Sequence, residues 1–255
     1  MNYKFYIIIN KISIITVCLN CSSSIERTYR SIISQTYSNF EWIVIDGNSE
    51  DGTLEILEKH KDTIAYLISE PDSGIYEAMN KGIKQSRGEY IVFLNAGDTF
   101  YDQHTLETVS RFFGPDLLYG QTIKSDRKTN ELVSYPESLS EDYLLNYTLS
   151  HQSTYYHKNV FLKYGLYDEF YNIAGDYELY ARLIKEEKFS YRYIEEPLSI
   201  FYLDGISNDP LFRDRMRLEQ HTLRLKYFKP YKKSYKYLKY KIRCLYKTLS
   251  CKLFL

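Results

Sequence analysis

Three stretches of the chain set an aspartate among glycine and small polar residues directly after an apolar run. "WIVIDGNSEDGT" (42–53) carries Asp46, "LISEPDSGI" (67–75) carries Asp72, and "YIVFLNAGDTF" (90–100) carries Asn95 and Asp98. Each aspartate alone reads equally well as a turn residue or a helix cap. Three delivered to one edge of a sheet are a different matter, because crowded carboxylates repel one another unless a cation or donor groups share the site. An oxygen-rich site with open positions suits Mg²⁺ or Mn²⁺, with substrate phosphates completing the coordination shell. A fourth carboxylate, Asp176 in "AGDYELY", stands where a helix begins and from position alone reads as an N-terminal cap.

The segments around these residues supply the positioning. "ISIITV" (12–17), "EWIVID" (41–46), "IAYLIS" (64–69) and the run from Tyr90 to Leu94 are predicted strands. Between them lie helical patterns: one begun by a Ser23/Glu26 capping box, "TLEILEKH" (53–60), and "GIYEAMNKGIKQ" (74–85). This βαβα order predicts an α/β fold with a parallel sheet and helices on both faces, whose ligands bind beyond the carboxyl ends of the strands. Residues 121–150 look polar and weakly periodic, and predict a flexible excursion. Order is expected to return with "HQSTYY" (151–156), a helix over 175–187, and strands near 189–194 and 198–202.

Composition excludes several classes. No stretch reaches the roughly 18–20 apolar residues that span a bilayer, and Asn10 and Lys11 interrupt the opening apolar run, which argues against a signal peptide. Cys18 and Cys21 have redox or half-zinc spacing, but Cys244 and Cys251 lie too far off in the tail to complete a zinc site. Reduced thiols of a cytosolic protein are the expectation. Neither G-x-G-x-x-G after the first strand nor G-x-x-x-x-G-K-[ST] occurs, so a dinucleotide-dependent oxidoreductase and a P-loop ATPase lose their main support. Net charge is zero, yet residues 213–255 hold 14 basic and two acidic residues against 19 and 31 before them. The acidic body argues against nucleic acid as a partner.

Taken together, "SIITVCLN", "WIVIDGNSEDGTLEIL", "EPDSGIYEAMNKGIKQSRGEYIVFLNAGD" and "AGDYELYARL" resemble family-2 glycosyltransferases of the GT-A fold, and most of all bacterial members that build surface polysaccharides. The resemblance covers roughly residues 12 to 207. It implies a Rossmann-like, mostly parallel central sheet and inverting transfer of a sugar from a nucleotide-diphosphate donor, a UDP-sugar favoured, to a saccharide acceptor that is lipid-linked in many such systems. Carried over, the loop from Thr16 to Asn20 and Asp46 hold the nucleoside, and Asp72 sits by the base or ribose. Asp98 matches the last carboxylate of the family's Asp-x-Asp metal motif, with Asn95 in place of the first Asp and Gly97 of the middle one. The small residues then let the backbone approach a diphosphate, Asn95 bonds the donor, and Asp98 holds the cation. Asp176 matches the catalytic base, with Glu178 the weaker candidate. His151 and Gln152 match a position near the donor sugar, where a purely structural histidine fits as well. Gly205-Ile206-Ser207 falls at a closing loop that often carries basic residues, while Lys81 and Arg87 read as solvated. The reduced motif leaves open a second class, a nucleotide-sugar-binding protein that has lost catalysis; a glycoside hydrolase would not need the nucleotide loops.

The basic tail completes the expectation. Residues 1–210 read as the catalytic domain and 211–255 as two helical stretches parted at Pro230. Tyr231, Tyr235, Leu238, Ile242, Leu245 and Leu249 form an apolar stripe flanked by lysines, a pattern suited to a headgroup layer. A helix docked on the acidic body is the alternative. The resulting expectation is a cytoplasmic enzyme held peripherally at the anionic surface of the cytoplasmic membrane.

Overall fold

The structure is a computed structural model that describes residues 11–203, 210–229, 231, 237 and 238. Its first half alternates as the apolar pattern requires: β1 (Ile12–Cys18), α1 (Ile25–Ile33), β2 (Phe40–Asp46), α2 (Thr53–Lys59), β3 (Tyr66–Ser69), α3 (Ile75–Gln85) and β4 (Tyr90–Phe93). Then follow β5 (Thr99–Phe100), α4 (Thr105–Ser110), β6 (Leu117–Ser125), β7 (Asn130–Val133), α5 (Glu141–Asn146), β8 (Thr154–His157), α6 (Asn159–Tyr164), α7 (Gly175–Leu183), β9 (Tyr191–Tyr202) and α8 (Pro210–Tyr227). The sheet order is β3-β2-β1-β4-β8-β6-β9-β5, with β7 added beside β6. The strands β3-β2-β1-β4 run parallel, so Cys18, Asp46 and Ser69 end at one edge.

Alternation along β1 and β2 divides the core between the two faces. Ile15, Val17, Ile43 and Ile45 meet α3, α6, α7 and α8, whereas Ile14, Trp42 and Val44 meet α1, α2 and α4. Each such aliphatic side chain, once buried, contributes about 1.5–3 kcal/mol. The abundance of tyrosine has a packing explanation on the first face. Tyr76, Tyr119 and Tyr177 bury their rings and donate their hydroxyls to the carbonyls of Ile173, Pro136 and Leu144.

Several local expectations are corrected. Ser23 and Glu26 form no capping box. The cap position is Ser24, without a side-chain bond, because Glu26 is drawn instead to His60 and Arg30. Residues 121–150 are no loose excursion. β6 runs on to Ser125 and pairs with β7, the turn between them is closed by backbone N–H groups donating to Asp126, and Tyr135, Leu139, Leu144 and Leu149 are buried. The two expected C-terminal strands are one strand, β9, whose register against β6 shifts on either side of Gln121. Helix α7 stops at Leu183 rather than residue 187.

Helix α8 lies against the body, with Leu223, Phe228 and Tyr231 buried in the same core as α7. Tyr231 bonds His221 and so turns inward, leaving the apolar stripe, whereas Leu238 is exposed. Tyr235, Ile242, Leu245, Leu249, Cys244, Cys251 and residues 204–209 lie outside the described residues. No described helix is long and apolar enough to cross a membrane.

Candidate active site

At the carboxyl edge of the parallel strands, the backbone after β4 makes a tight turn. Leu94 and Ala96 still donate to β1, and the Asp98 N–H closes back on the Asn95 carbonyl. Gly97 takes φ +104°, which disfavours a side chain, and an added Cβ would sit 3.2 Å from the Arg27 guanidinium. The turn thereby aims Asp98 inward, where it is only 6% exposed. Its Oδ2 accepts from the Gln152 amide at 2.8 Å and its Oδ1 from the Tyr202 N–H at 3.3 Å. Burial, opposed by those bonds and by the charge of Arg27, pushes its carboxyl up to about 6.

Asn95 sends its amide nitrogen to His151 Nε2 at 3.1 Å, and its Oδ1 is buried without a partner. With Nε2 accepting, the ring proton resides on Nδ1, which faces Asp176 Oδ2 at 3.7 Å. Asp176 stands in the first turn of α7; its Oδ1 accepts from the Tyr177 N–H at 2.7 Å, so it caps that turn with one oxygen and leaves the other toward His151. The structure therefore gathers Asn95, Asp98, His151, Gln152 and Asp176 into one polar cluster, joining a turn after β4, the 3₁₀ turn His151–Ser153 and the start of α7.

The nucleoside-side residues are arranged differently. Asp46 is fully buried and accepts from the Ser49 N–H, the Ser69 hydroxyl and the Ser49 hydroxyl, locking the β2–α2 turn onto β3. Asn20 adopts φ +52°, and bonds through its N–H and Oδ1 to Ser49 and Glu50. Thr16 is corrected: it lies inside β1, not in the loop, with its buried hydroxyl linking Trp42 and the Leu94 carbonyl. Asp72 borders Gly47 and is held by Lys81, which also pairs with Glu70 at 2.8 Å and Glu77 at 3.2 Å. Lys81 is thus a hub of three carboxylates rather than a solvated charge. Glu178 is 3% exposed and tied to Arg182 at 2.9 Å and to the Tyr227 hydroxyl, which removes it as a base. Cys18 is buried and its thiol is pushed far up by burial and by Asp46, which disfavours the thiolate that redox chemistry needs.

Two site residues were not legible in the sequence. Arg27, on α1, donates to the Gly97 carbonyl at 2.7 Å and covers the Tyr202 ring at 3.9 Å, bringing positive charge beside the Asp98 turn. Tyr76 donates to the Ile173 carbonyl and receives the Asp176 N–H at 3.3 Å, while its ring fills the space that a Cβ on Gly175 would need. A cavity of about 490 Å³ is lined in part by Tyr135, Tyr143, Tyr147, Tyr177 and Arg224, and by none of the five cluster residues. Tyr135 donates to Ser150, next to His151, and Tyr177 follows Asp176.

Residues 13–173 match glycosyl transferase family 2. The chain belongs to that family. It is 30% identical over 205 residues, 77% of this chain and 78% of the relative, to a PGL/p-HBAD biosynthesis glycosyltransferase of Mycobacterium bovis (strain BCG / Pasteur 1173P2). It is 32% identical over 189 residues, 67% of this chain and 68% of the relative, to an uncharacterized glycosyltransferase of Mycobacterium tuberculosis (strain CDC 1551 / Oshkosh). Solved structures share the fold. S. aureus TarS 1–349 in complex with UDP-GlcNAc superposes with TM-score 0.64 at 18% identity, over 75% of this chain and 58% of that chain. The mannosyltransferase PcManGT from Pyrobaculum calidifontis, in complex with GDP-Man and Mn²⁺, gives 0.64 at 17% identity, over 85% and 64%. The expected GT-A architecture of this family-2 glycosyltransferase is therefore present.

For a divalent cation the protein's own donors are few. Among the described residues no three His, Cys, Asp or Glu side chains converge on one point. The unpartnered Asn95 Oδ1 and the Asp98 carboxylate are oxygen donors that fit a hard cation whose remaining ligands come from a bound diphosphate and water.

Proposed function

We propose that this family-2 glycosyltransferase transfers a sugar with inversion from a nucleotide-diphosphate donor, a UDP- or GDP-sugar, to an acceptor hydroxyl in surface-polysaccharide or glycolipid synthesis. The observation that carries this reading is the His151 bridge, which contacts Asn95 of the Asp98 turn on one side and Asp176 on the other. It links the group suited to a leaving diphosphate with the group suited to an acceptor proton.

In the proposed reaction, Asp176 Oδ2 takes the proton of the acceptor hydroxyl as its oxygen attacks the anomeric carbon. The bond from that carbon to the diphosphate oxygen breaks on the opposite face, and the diphosphate leaves with the electron pair. Mg²⁺ or Mn²⁺, when bound through Asn95 and Asp98, would offset the charge gathering on that diphosphate. Arg27 adds a fixed positive charge at the same turn. The tyrosine-lined cavity suits a saccharide acceptor, since aromatic faces and polar tips match a sugar's two kinds of surface. That the curated relatives are named glycosyltransferases favours this over a binding-only protein.

The test is release of nucleotide from a panel of UDP- and GDP-sugars, with Mn²⁺ or Mg²⁺ and a saccharide or glycolipid acceptor. Acceptor-dependent release that gives a product of inverted anomeric configuration supports the reading; donor binding without any transfer across the panel returns the protein to the binding-only class. Attachment to the cytoplasmic face of a membrane belongs to the same proposal, supported by the basic balance of residues 213–255. A chain ending at Leu238 should then lose binding to anionic vesicles at low salt and keep its melting temperature within a few degrees. Equal sedimentation of the shortened and full chains would remove the membrane role of the segment beyond residue 238.

A further inference from the structure

Glu219 is one of two acids in the otherwise basic run from Arg213 onward, the other being Asp214. The two differ in setting. Asp214 meets Arg217, with both side chains largely exposed. Glu219 is only 12% exposed and turns its carboxylate into the body. Its Oε1 accepts from the Asn172 N–H at 3.0 Å, and its Oε2 from the Ile173 N–H at 3.0 Å and the Ala174 N–H at 2.9 Å. Arg215 approaches Oε1 from the same helix at 3.4 Å. Those three amides immediately precede Gly175 and Asp176, so a single side chain of α8 grips the segment that delivers the proposed base.

The grip is two-sided. From α3, Tyr76 donates to the Ile173 carbonyl and receives the Asp176 N–H. From α8, Glu219 takes the N–H groups that Tyr76 leaves. Backbone donors without partners are costly when buried, and this segment lies ahead of α7, where its amides have no helical acceptor of their own. A carboxylate satisfying three of them fixes the entry angle of α7 and, with it, where Asp176 points. A misplacement of about 1 Å at a reacting group can cost about 10²-fold in rate.

We propose that Glu219 is the positioning residue of Asp176, which makes helix α8 part of the catalytic apparatus instead of the start of a detachable tail. The proposal rests on the reading of Asp176 as base. It is tested on the full chain as wild type, E219A, E219Q and L223A, the last removing a buried α8 side chain one helical turn from Glu219 that offers the three amides no acceptor. Amide hydrogen exchange over residues 172–177 is one readout. The other is kcat and donor KM on whichever of UDP-N-acetylglucosamine and GDP-mannose the wild type turns over. E219A should speed exchange at 172–174 at least tenfold and leave α3 unchanged. It should also lower kcat about tenfold or more with donor KM within twofold. E219Q, which keeps one acceptor oxygen, should fall between E219A and wild type. L223A should lower the melting temperature while leaving both the local exchange and kcat near wild type.

Unchanged exchange at 172–174 in E219A overturns the proposal, as does a loss of kcat no greater than that of L223A. D176N separates the two levels. If D176N turns over like wild type, the reading of the base fails; if it is inactive while E219A is not, only the positioning role fails. If neither donor is turned over, exchange decides the proposal alone.

Discussion

Both ends of the parallel strands bury carboxylates, and Glu41 at one end and Asp98 at the other are treated in opposite ways. At the strand starts, Glu41 accepts from Lys11 at 2.8 Å, the Ser13 hydroxyl at 2.6 Å, and the Arg87 and Gly88 N–H groups. Burial would raise its carboxyl, but Lys11, Ser13 and Arg87 together hold it below the usual range. At the strand ends, Asp98 is equally buried, with 6% exposure like Glu41, yet among the described residues it receives two bonds and no direct ion pair, and is pushed up to about 6. A satisfied charge is a fastening. An under-satisfied one is a place kept for something else, because perturbed carboxylates tolerated at a cost collect where chemistry is done.

The largest effect that sharpens this contrast lies at the strand ends. D176N keeps the shape and much of the capping of the Tyr177 N–H, so the fold and donor binding should survive while turnover drops by about 10² to 10⁴. Steady-state kinetics beside a melting curve check it. A turnover loss no larger than the stability loss would make Asp176 a cap and blur the difference between the two ends.

The strand starts should respond in the reverse sense. E41Q removes the charge that Lys11 and two backbone N–H groups share, at a cost of about 2–3 kcal/mol in stability near pH 7. Its kcat, measured well below the melting temperature, should stay within about twofold of wild type. A lost kcat with intact stability would show that function extends across the sheet.

How far these roles were legible before the structure depends on how local their causes are. The strands and helices from residue 12 to 100 were readable because apolar periodicity reports burial directly. The clustering of Asn95, Asp98, His151, Gln152 and Asp176 was readable only through resemblance. Tyr76 meets Ile173 across 97 residues and Glu219 meets Ile173 across 46, so no local pattern announces either. Lys81 looked solvated because its three carboxylates belong to a loop and a helix face that only the fold brings together. Residues 121–150 looked loose because their buried side chains, Tyr135, Leu139, Leu144 and Leu149, sit on short elements and turns where no period can establish itself.

The smallest effect is also the most diagnostic. With Asp98 raised from 3.8 to about 6, the folded state binds more protons than the unfolded chain between those values, so wild-type stability falls as pH rises through that window. The charged form carries a cost of about 3 kcal/mol above it. Glu41 has the opposite sign. Its contribution is present above the ordinary carboxylate range and is lost as pH falls through its lowered value. D98N abolishes the first slope, and the Gln152 amide can turn to bond the new side chain. The amide oxygen left for the Tyr202 N–H is a weaker acceptor than a charged carboxylate, however, so part of the recovered energy is lost there. The net expectation is that D98N matches or falls slightly below wild type near pH 4 and exceeds it by about 1 kcal/mol near pH 7, while transfer is lost. Urea unfolding of both proteins at intervals from pH 4 to pH 7 measures the difference. A gap that closes with rising pH would mean that Asp98 is as well satisfied as Glu41, and the strand ends would then hold no place for a diphosphate-bound cation.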